Sequence, residues 1–152
     1  MKIETAVFDD LPEIATLQKL AFYQVGAFYS NFRIRPLLAT LDDFERTFWG
    51  YHYLKATLGT RIVGSARAKV IEGVCKIENV IVHPAHQRQG IGKSLVGEII
   101  DLFPEAHLFE LFTGKDSPGN VDFYTRLGFL IVKETPATEN EPVLVVMEKR
   151  TL

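Results

Sequence analysis

Residues 78–96 read ENVIVHPAHQRQGIGKSLV. The first five alternate like a strand, His83-Pro84 breaks the run, and a helical period starts at Gly90. From there Ile91, Leu95, Ile99 and Leu102 recur on one face, with Val96, Ile100 and Phe103 widening the stripe. A strand therefore passes through a short loop into a helix whose first turn holds Gly90 and Gly92. Glycines there let backbone N–H groups approach a ligand closely, and the helix start adds unpaired donors and the positive end of its dipole. That combination suits a phosphate or pyrophosphate, with Arg88 and Lys93 adding charge.

Outward from this junction the chain reads as one mixed α/β (α+β) domain over residues 1–152. Residues 2–8 lean to strand. Asp10-Leu-Pro-Glu13 predicts a helix start with Asp10 as N-cap and Glu13 in a capping box, and Thr40-Leu-Asp-Asp43 predicts a second. Between the two helices lies an aromatic link, residues 22–36. Residues 52–82 predict three strands of an antiparallel meander, turning at Gly59-Thr60 and Glu72-Gly73. After the glycine-rich helix come a strand at 106–112, a short helix at 120–127 ending on Gly128, and two closing strands around a turn at 136–142. The order βααβββαβαββ predicts a mostly antiparallel, twisted sheet of six to seven strands with about four helices. It is parallel only where helix 90–103 intervenes.

The 152 residues are 47% hydrophobic and 24% charged with a net charge of -2, a composition that excludes a disordered chain and argues against a general nucleic-acid binder. No apolar run approaches the ~20 residues needed to cross a bilayer, and acidic residues soon after Lys2 do not resemble a secretory signal. A single cysteine, Cys75, suits a reducing compartment, so a cytoplasmic protein without nucleic-acid or membrane partners is expected. The histidines show no metal-ligand spacing with the carboxylates, and no metal site is expected. The apolar run 142–149 could pair across a homodimer, although a core strand explains it equally.

Three anion-binding patterns compete for the glycines. Gly92-Lys93-Ser94 imitates the end of a P-loop, but the first glycine falls at Gln87. The dinucleotide fingerprint meets Leu95 where its third glycine belongs. Gln87-Arg88-Gln89-Gly90-Ile91-Gly92 fills [QR]-x-x-G-x-[GA] completely. With Val80-x-Val82-His-Pro before it and Lys93-Ser94-Leu after it, this block resembles the acyl-CoA-binding motif of the GNAT superfamily of N-acetyltransferases. Asn120-Val-Asp-Phe123-Tyr124-Thr-Arg-Leu-Gly128-Phe129 is similar to that superfamily's second motif. Many members carry Asn seven residues before the tyrosine, where this chain has Ser117. Its Asn120, four before, resembles the spacing of glucosamine-phosphate acetyltransferases, and which of the two takes the family role stays open.

The resemblance implies a GNAT-like domain that moves the acetyl group of acetyl-CoA to a primary amine by direct attack in a ternary complex. The backbone of Val80, Ile81 and Val82 would take the pantetheine arm as an added strand. Residues Gln87 to Ser94 would hold the pyrophosphate, with Asn120 and Phe123 also on the cofactor. Tyr124 would serve the leaving thiolate as general acid and contact the cofactor. Alternation places Glu78 on the face of Val80 and Val82, as a candidate base beside the alternative of an ordinary strand carboxylate. Tyr23, Phe28, Tyr29 and Arg33 are candidate acceptor contacts, with Arg33 and Arg35 able to grip a carboxylate or phosphate. A small amine, amino acid or amino sugar is the expected acceptor. A protein N-terminus or lysine, and a non-catalytic acyl-CoA sensor, are the alternatives.

Overall fold

Two layers of helices sandwich one sheet in the computed structural model, which describes residues 1–151. The strands are β1 (Lys2–Thr5), β2 (His52–Leu58), β3 (Arg61–Ile71), β4 (Val74–Val82), β5 (Leu108–Gly114), β6 (Leu130–Thr135) and β7 (Leu144–Arg150). The helices are α1 (Leu11–Tyr29), α2 (Arg35–Leu38), α3 (Leu41–Thr47), α4 (Ile91–Leu102) and α5 (Asn120–Arg126). The seven strands lie in the order β1-β2-β3-β4-β5-β7-β6. All neighbours are antiparallel except β4 and β5, the pair joined through α4. Five helices replace the expected four because a single turn, α2, forms in the aromatic link.

The meander turns where glycine placement predicts. Glu72 and Gly73 both take positive φ (51° and 79°), the requirement of a two-residue hairpin loop whose twist suits the strands it joins. One face of the sheet packs Leu95, Val96 and Ile99 of α4 against Ala66, Ala68, Cys75 and Phe109. The other packs Leu11, Ile14 and Leu17 of α1 and Phe44 of α3 against Tyr53, Ile62 and Ile81. No helix among the described residues is long and apolar enough to cross a membrane.

Local expectations divide. The capping box at Thr40 forms, Asp43 N–H donating to Thr40 Oγ1 (3.2 Å) and Thr40 N–H to Asp43 Oδ2 (2.8 Å). The one at Asp10 does not: Asp10 is already helical, and its Oδ2 accepts from Val7 N–H (2.8 Å) and pairs with Lys55 (2.9 Å). Glu13 instead takes the Ile62 N–H of β3 at 2.7 Å, which ties the start of α1 to the sheet. Helix α1 also continues to Tyr29, so residues 22–29 are helix, not link. Leu102 ends α4 exposed and does not complete the apolar stripe. Finally, β7 is paired on both sides; the free edge beside it belongs to β6, with Leu130, Ile131 and Val132 exposed. Residues 142–149 are therefore not open to strand pairing between copies; the outer strands of the sheet are β1 and β6.

Candidate active site

Strands β4 and β5 start together and then part. Val74, Cys75 and Lys76 pair with Leu108, Phe109 and Glu110, and there the ladder stops. Lys76 Nζ meets Glu110 Oε1 at 2.6 Å, at the fork itself. Beyond it β5 pairs only with β7, and β4 only with β3 as far as Val82. The β5-facing edge of residues 77–82 is left without a strand, an opening that an extended chain of amide groups can fill.

A β-bulge re-aims this edge. Between the pairs Arg67–Glu78 and Ser65–Ile81, β4 has one residue too many, and Asn79 absorbs it at φ 53°. Simple alternation consequently fails, and the placement of Glu78 with Val80 and Val82 is corrected. Val80 and Val82 lie against the α4-side core, whereas Ile81 belongs to the α1-side core and Glu78 reaches the residues beside it. Glu78 accepts from Tyr51 Oη (3.1 and 3.0 Å) and from Arg67 Nε (3.2 Å) and Nη2 (2.8 Å). Arg67 also lies over the Tyr51 ring at 4.3 Å and donates to Tyr53 Oη at 2.9 Å. Tyr51, Tyr53 and Arg67 were not among the candidate residues. The Glu72-Gly73 turn holds the signal for one of them, since counting outward from a two-residue loop puts Arg67 opposite Glu78.

At the open end of β4 the loop enters α4. Gly90 caps the helix at φ 84°, and a Cβ there would meet no atom within 4 Å. Arg88 also takes positive φ (62°), an uncommon conformation for a long side chain. Ser94 N–H is the first to close onto the helix, on Gly90 C=O at 3.0 Å, which leaves the N–H groups of Ile91, Gly92 and Lys93 unclaimed among the described residues. Gln87, Arg88, Gln89, Lys93 and Ser94 surround this concavity with exposed side chains, while Ile91 is buried as an anchor. Gly92 has a structural reason as well: Phe123 packs onto it, with its ring 3.2 Å from where a Cβ would stand.

A cavity of about 490 Å³ runs through the fork and is walled from both sides of the sheet. Ile77–Val80 and Leu111–Gly114 form its rims, Ser117, Asn120 and Tyr124 close one side, and Gln18, Phe22, Ile34 and Arg35 close the other. Tyr124 is the buried residue of α5, and its hydroxyl has no hydrogen-bond partner among the described residues. Burial raises its phenol above the usual range, so it is protonated at neutral pH. Ser117 Oγ is engaged by Tyr29 Oη at 2.9 Å, both fitted against Gly114, where any Cβ would overlap them. The Asn120 side chain, by contrast, makes no hydrogen bond among the described residues.

Of the other acceptor candidates, Tyr23, Phe28 and Arg33 stand apart from the cavity wall, whereas Arg35 lies in it. Tyr23 and Phe28 are exposed on α1, Tyr23 packed on Phe32 at 5.3 Å. Arg33 pairs with Glu139 at 2.9 Å and Arg35 with Glu141 at 3.1 Å. These pairs join residues 31–35 to the β6–β7 turn and roof the cavity.

The comparisons agree with this geometry. The model of the acetyltransferase (GNAT) family matches residues 11–129. A Schizosaccharomyces pombe glucosamine 6-phosphate N-acetyltransferase is 41% identical over 58 residues, 38% of this chain and 51% of that protein. The chain thus spans about half the length of this curated relative. The ribosomal-protein-S18-alanine N-acetyltransferase of Escherichia coli superposes with a TM-score of 0.80 at 19% identity, covering 98% of this chain and 92% of that one. The PaiA N-acetyltransferase of Thermoplasma acidophilum, solved with coenzyme A, gives 0.78 at 17% identity, covering 99% and 100%. With a forked sheet, an open glycine-capped helix and a family match over most of its length, the chain belongs to the acetyltransferase (GNAT) family.

Proposed function

We propose that this protein transfers the acetyl group of acetyl-CoA to the primary amine of a small molecule: an amine, an amino acid or an amino sugar. The observation that carries this reading is the fork, whose unpaired β4 edge leads directly from the open Gly90 concavity to Tyr124. The residues present fit the cofactor on three counts: a free strand edge for the pantetheine amides, unclaimed N–H groups at a helix start, and space at Gly90 that a side chain would fill. Bound acetyl-CoA supplies an activated thioester: the amine nitrogen gains the acetyl carbon, the C–S bond breaks, and the sulfur departs with a proton.

The chain's own residues supply the rest. Residues 87–94 hold the pyrophosphate, and Val80, Ile81 and Val82 hold the arm through their backbone, with Asn120 and Phe123 alongside. A backbone N–H near Val82 polarises the acetyl carbonyl. Tyr124, protonated and without a competing partner, gives its hydrogen to the departing sulfur. Glu78 shares the cavity wall and, oriented by Tyr51 and Arg67, takes the amine proton directly or through water. The single reduced thiol accords with action in the cytoplasm.

Calorimetric titration with acetyl-CoA, beside NADH and ATP, tests the reading. Micromolar-range binding of acetyl-CoA alone, abolished by Gly90→Glu, is the expected result. Absence of acetyl-CoA binding by the intact chain would remove both cofactor and activity from the proposal.

A further inference from the structure

Helices α1 and α5 lie on opposite faces of the sheet. Leu11, Ile14 and Leu17 of α1 belong to one core, and Tyr124 of α5 to the other, with Leu95 and Ile99 of α4. Side chains from the two layers meet past Gly114, where β5 ends. There Tyr29, the last residue of α1, shares a hydrogen bond of 2.9 Å between its Oη and Ser117 Oγ. Both oxygens occupy the space that a Cβ on residue 114 would take, so the crossing needs this glycine. Among the described residues it is the one side-chain hydrogen bond between residues 11–40 and 115–129.

The turn that Tyr29 grips leads directly into α5. Ser117 N–H donates to Gly114 C=O (3.3 Å), and Ser117 C=O accepts from the N–H of Asn120 (3.2 Å), the first residue of the helix. Ser117 is 8% exposed, and with Asn120 and Tyr124 it lines the cavity. At seven residues α5 has little stability of its own. Packing holds it against the α4-side core, and the Ser117 turn fixes where it starts. Tyr29 does not itself line the cavity and reaches the site through Ser117.

We propose that Tyr29 is a positioning residue: across the end of the sheet it fixes the Ser117 turn, and so sets where α5 presents Tyr124 to bound acetyl-CoA. The inference rests on the acetyltransferase reading above and adds to it a residue that touches neither cofactor nor acceptor.

Two measurements test it. Tyr29→Phe keeps the ring and its edge-on contact with Phe28 (4.9 Å) and removes only the hydroxyl. In the protein without ligands, amide exchange should then quicken several-fold in residues 115–126, with α4 and β3 unchanged. Quickening confined to residues 26–30 would mark a locally structural hydroxyl and overturns the inference. The second measurement follows thiol release from acetyl-CoA with tyramine, spermidine, glucosamine 6-phosphate and alaninamide, and uses whichever amine reacts best. Tyr29→Phe should lower kcat about tenfold, because a small misplacement of a reacting group costs rate steeply. Acceptor KM and the acetyl-CoA dissociation constant should hold. In a Tyr124→Phe background the same change should cost less than about twofold, since the group being positioned is gone. Ser117→Ala should reproduce these effects, and it carries the same tests should Tyr29→Phe fail to fold. A raised acceptor KM would make Tyr29 an acceptor contact. Equal losses in both backgrounds would make it a general stabiliser, and weakened acetyl-CoA binding by Ser117→Ala would put Ser117 on the cofactor. Each of these overturns the inference. The parent reading fails differently: the unaltered chain then binds no acetyl-CoA or turns over no amine, while amide exchange still decides whether Tyr29 holds α5.

Discussion

Tyr124 and Cys75 are both buried acids, and burial gives them opposite uses. Desolvation favours the neutral form of each. For Tyr124 this keeps a donor on the cavity wall, and Tyr124→Phe removes that donor with little change of shape. Loss of a positioned acid lowers kcat by about 10²-fold, and the acetyl-CoA dissociation constant should stay as it was; steady-state rates and calorimetry on the same variant check both. Because the phenol's pKa is raised, the alkaline limb of the rate profile should not begin in the ordinary tyrosine range. Cys75 touches no substrate-facing surface: desolvation, and then the negative Glu105, push its thiol from 9.0 up to about 12. A raised folded-state value means that the neutral thiol's stabilisation is complete below pH 9.0 and fades as pH climbs toward 12. Ellman's reagent should accordingly find no thiol in the native protein at neutral pH and one after denaturation. Any reaction of the native protein refutes the burial argument.

Among the elements, α4 carries two glycines with different meanings. Gly90 has φ 84° and empty space around its missing Cβ, so Gly90→Ala costs only the left-handed strain, about 1 kcal/mol. A loss of acetyl-CoA affinity of about tenfold beyond this would report a ligand crowded by the new methyl. Gly97 is exposed within the helix and also meets nothing, so Gly97→Ala should stabilise the fold by about 0.5–1 kcal/mol and leave affinity alone. Paired melts and titrations distinguish the two. The sequence made α4 legible because its apolar period and its glycines agree. It hid the length of α1, whose last turns run through the aromatic stretch expected as a link. Gly26 is there because Phe32 and Leu37 approach the helix so closely that a Cβ would lie 2.8 Å from each. Alternation misplaces Glu78 because it carries no mark of a bulge, and the bulge at Asn79 (φ 53°) comes only with the paired sheet. Gln18 left no signal at all, because a glutamine on a helix reads as surface until α2 folds over it.

Across the whole molecule, the cofactor side of the cleft is built from residues near one another in sequence, and the acceptor side is not. That difference explains why two short motifs exposed the fork and the helix start, while the roof came only with the fold. The roof joins residues 31–35 to 138–142. Asn31 Nδ2 reaches Glu139 C=O (3.2 Å), Asn140 Nδ2 reaches Arg33 C=O (2.8 Å), and Arg35 N–H reaches Asn140 C=O (3.0 Å). The ion pair Arg33–Glu139 adds little, since both partners are about 70% exposed and salt screens them. The side-chain amide of Asn140 is therefore the stronger tie. Asn140→Ala should loosen both segments together, seen as faster amide exchange in residues 31–39 and 138–142, with protection in β3 and β4 unchanged. Global stability should fall by no more than the ~1 kcal/mol of a lost hydrogen bond. Acceptor KM should rise several-fold while the acetyl-CoA constant holds, because the fork and the Gly90 concavity do not depend on this tie. Exchange that quickens in only one of the two segments would show that the roof is not a single unit.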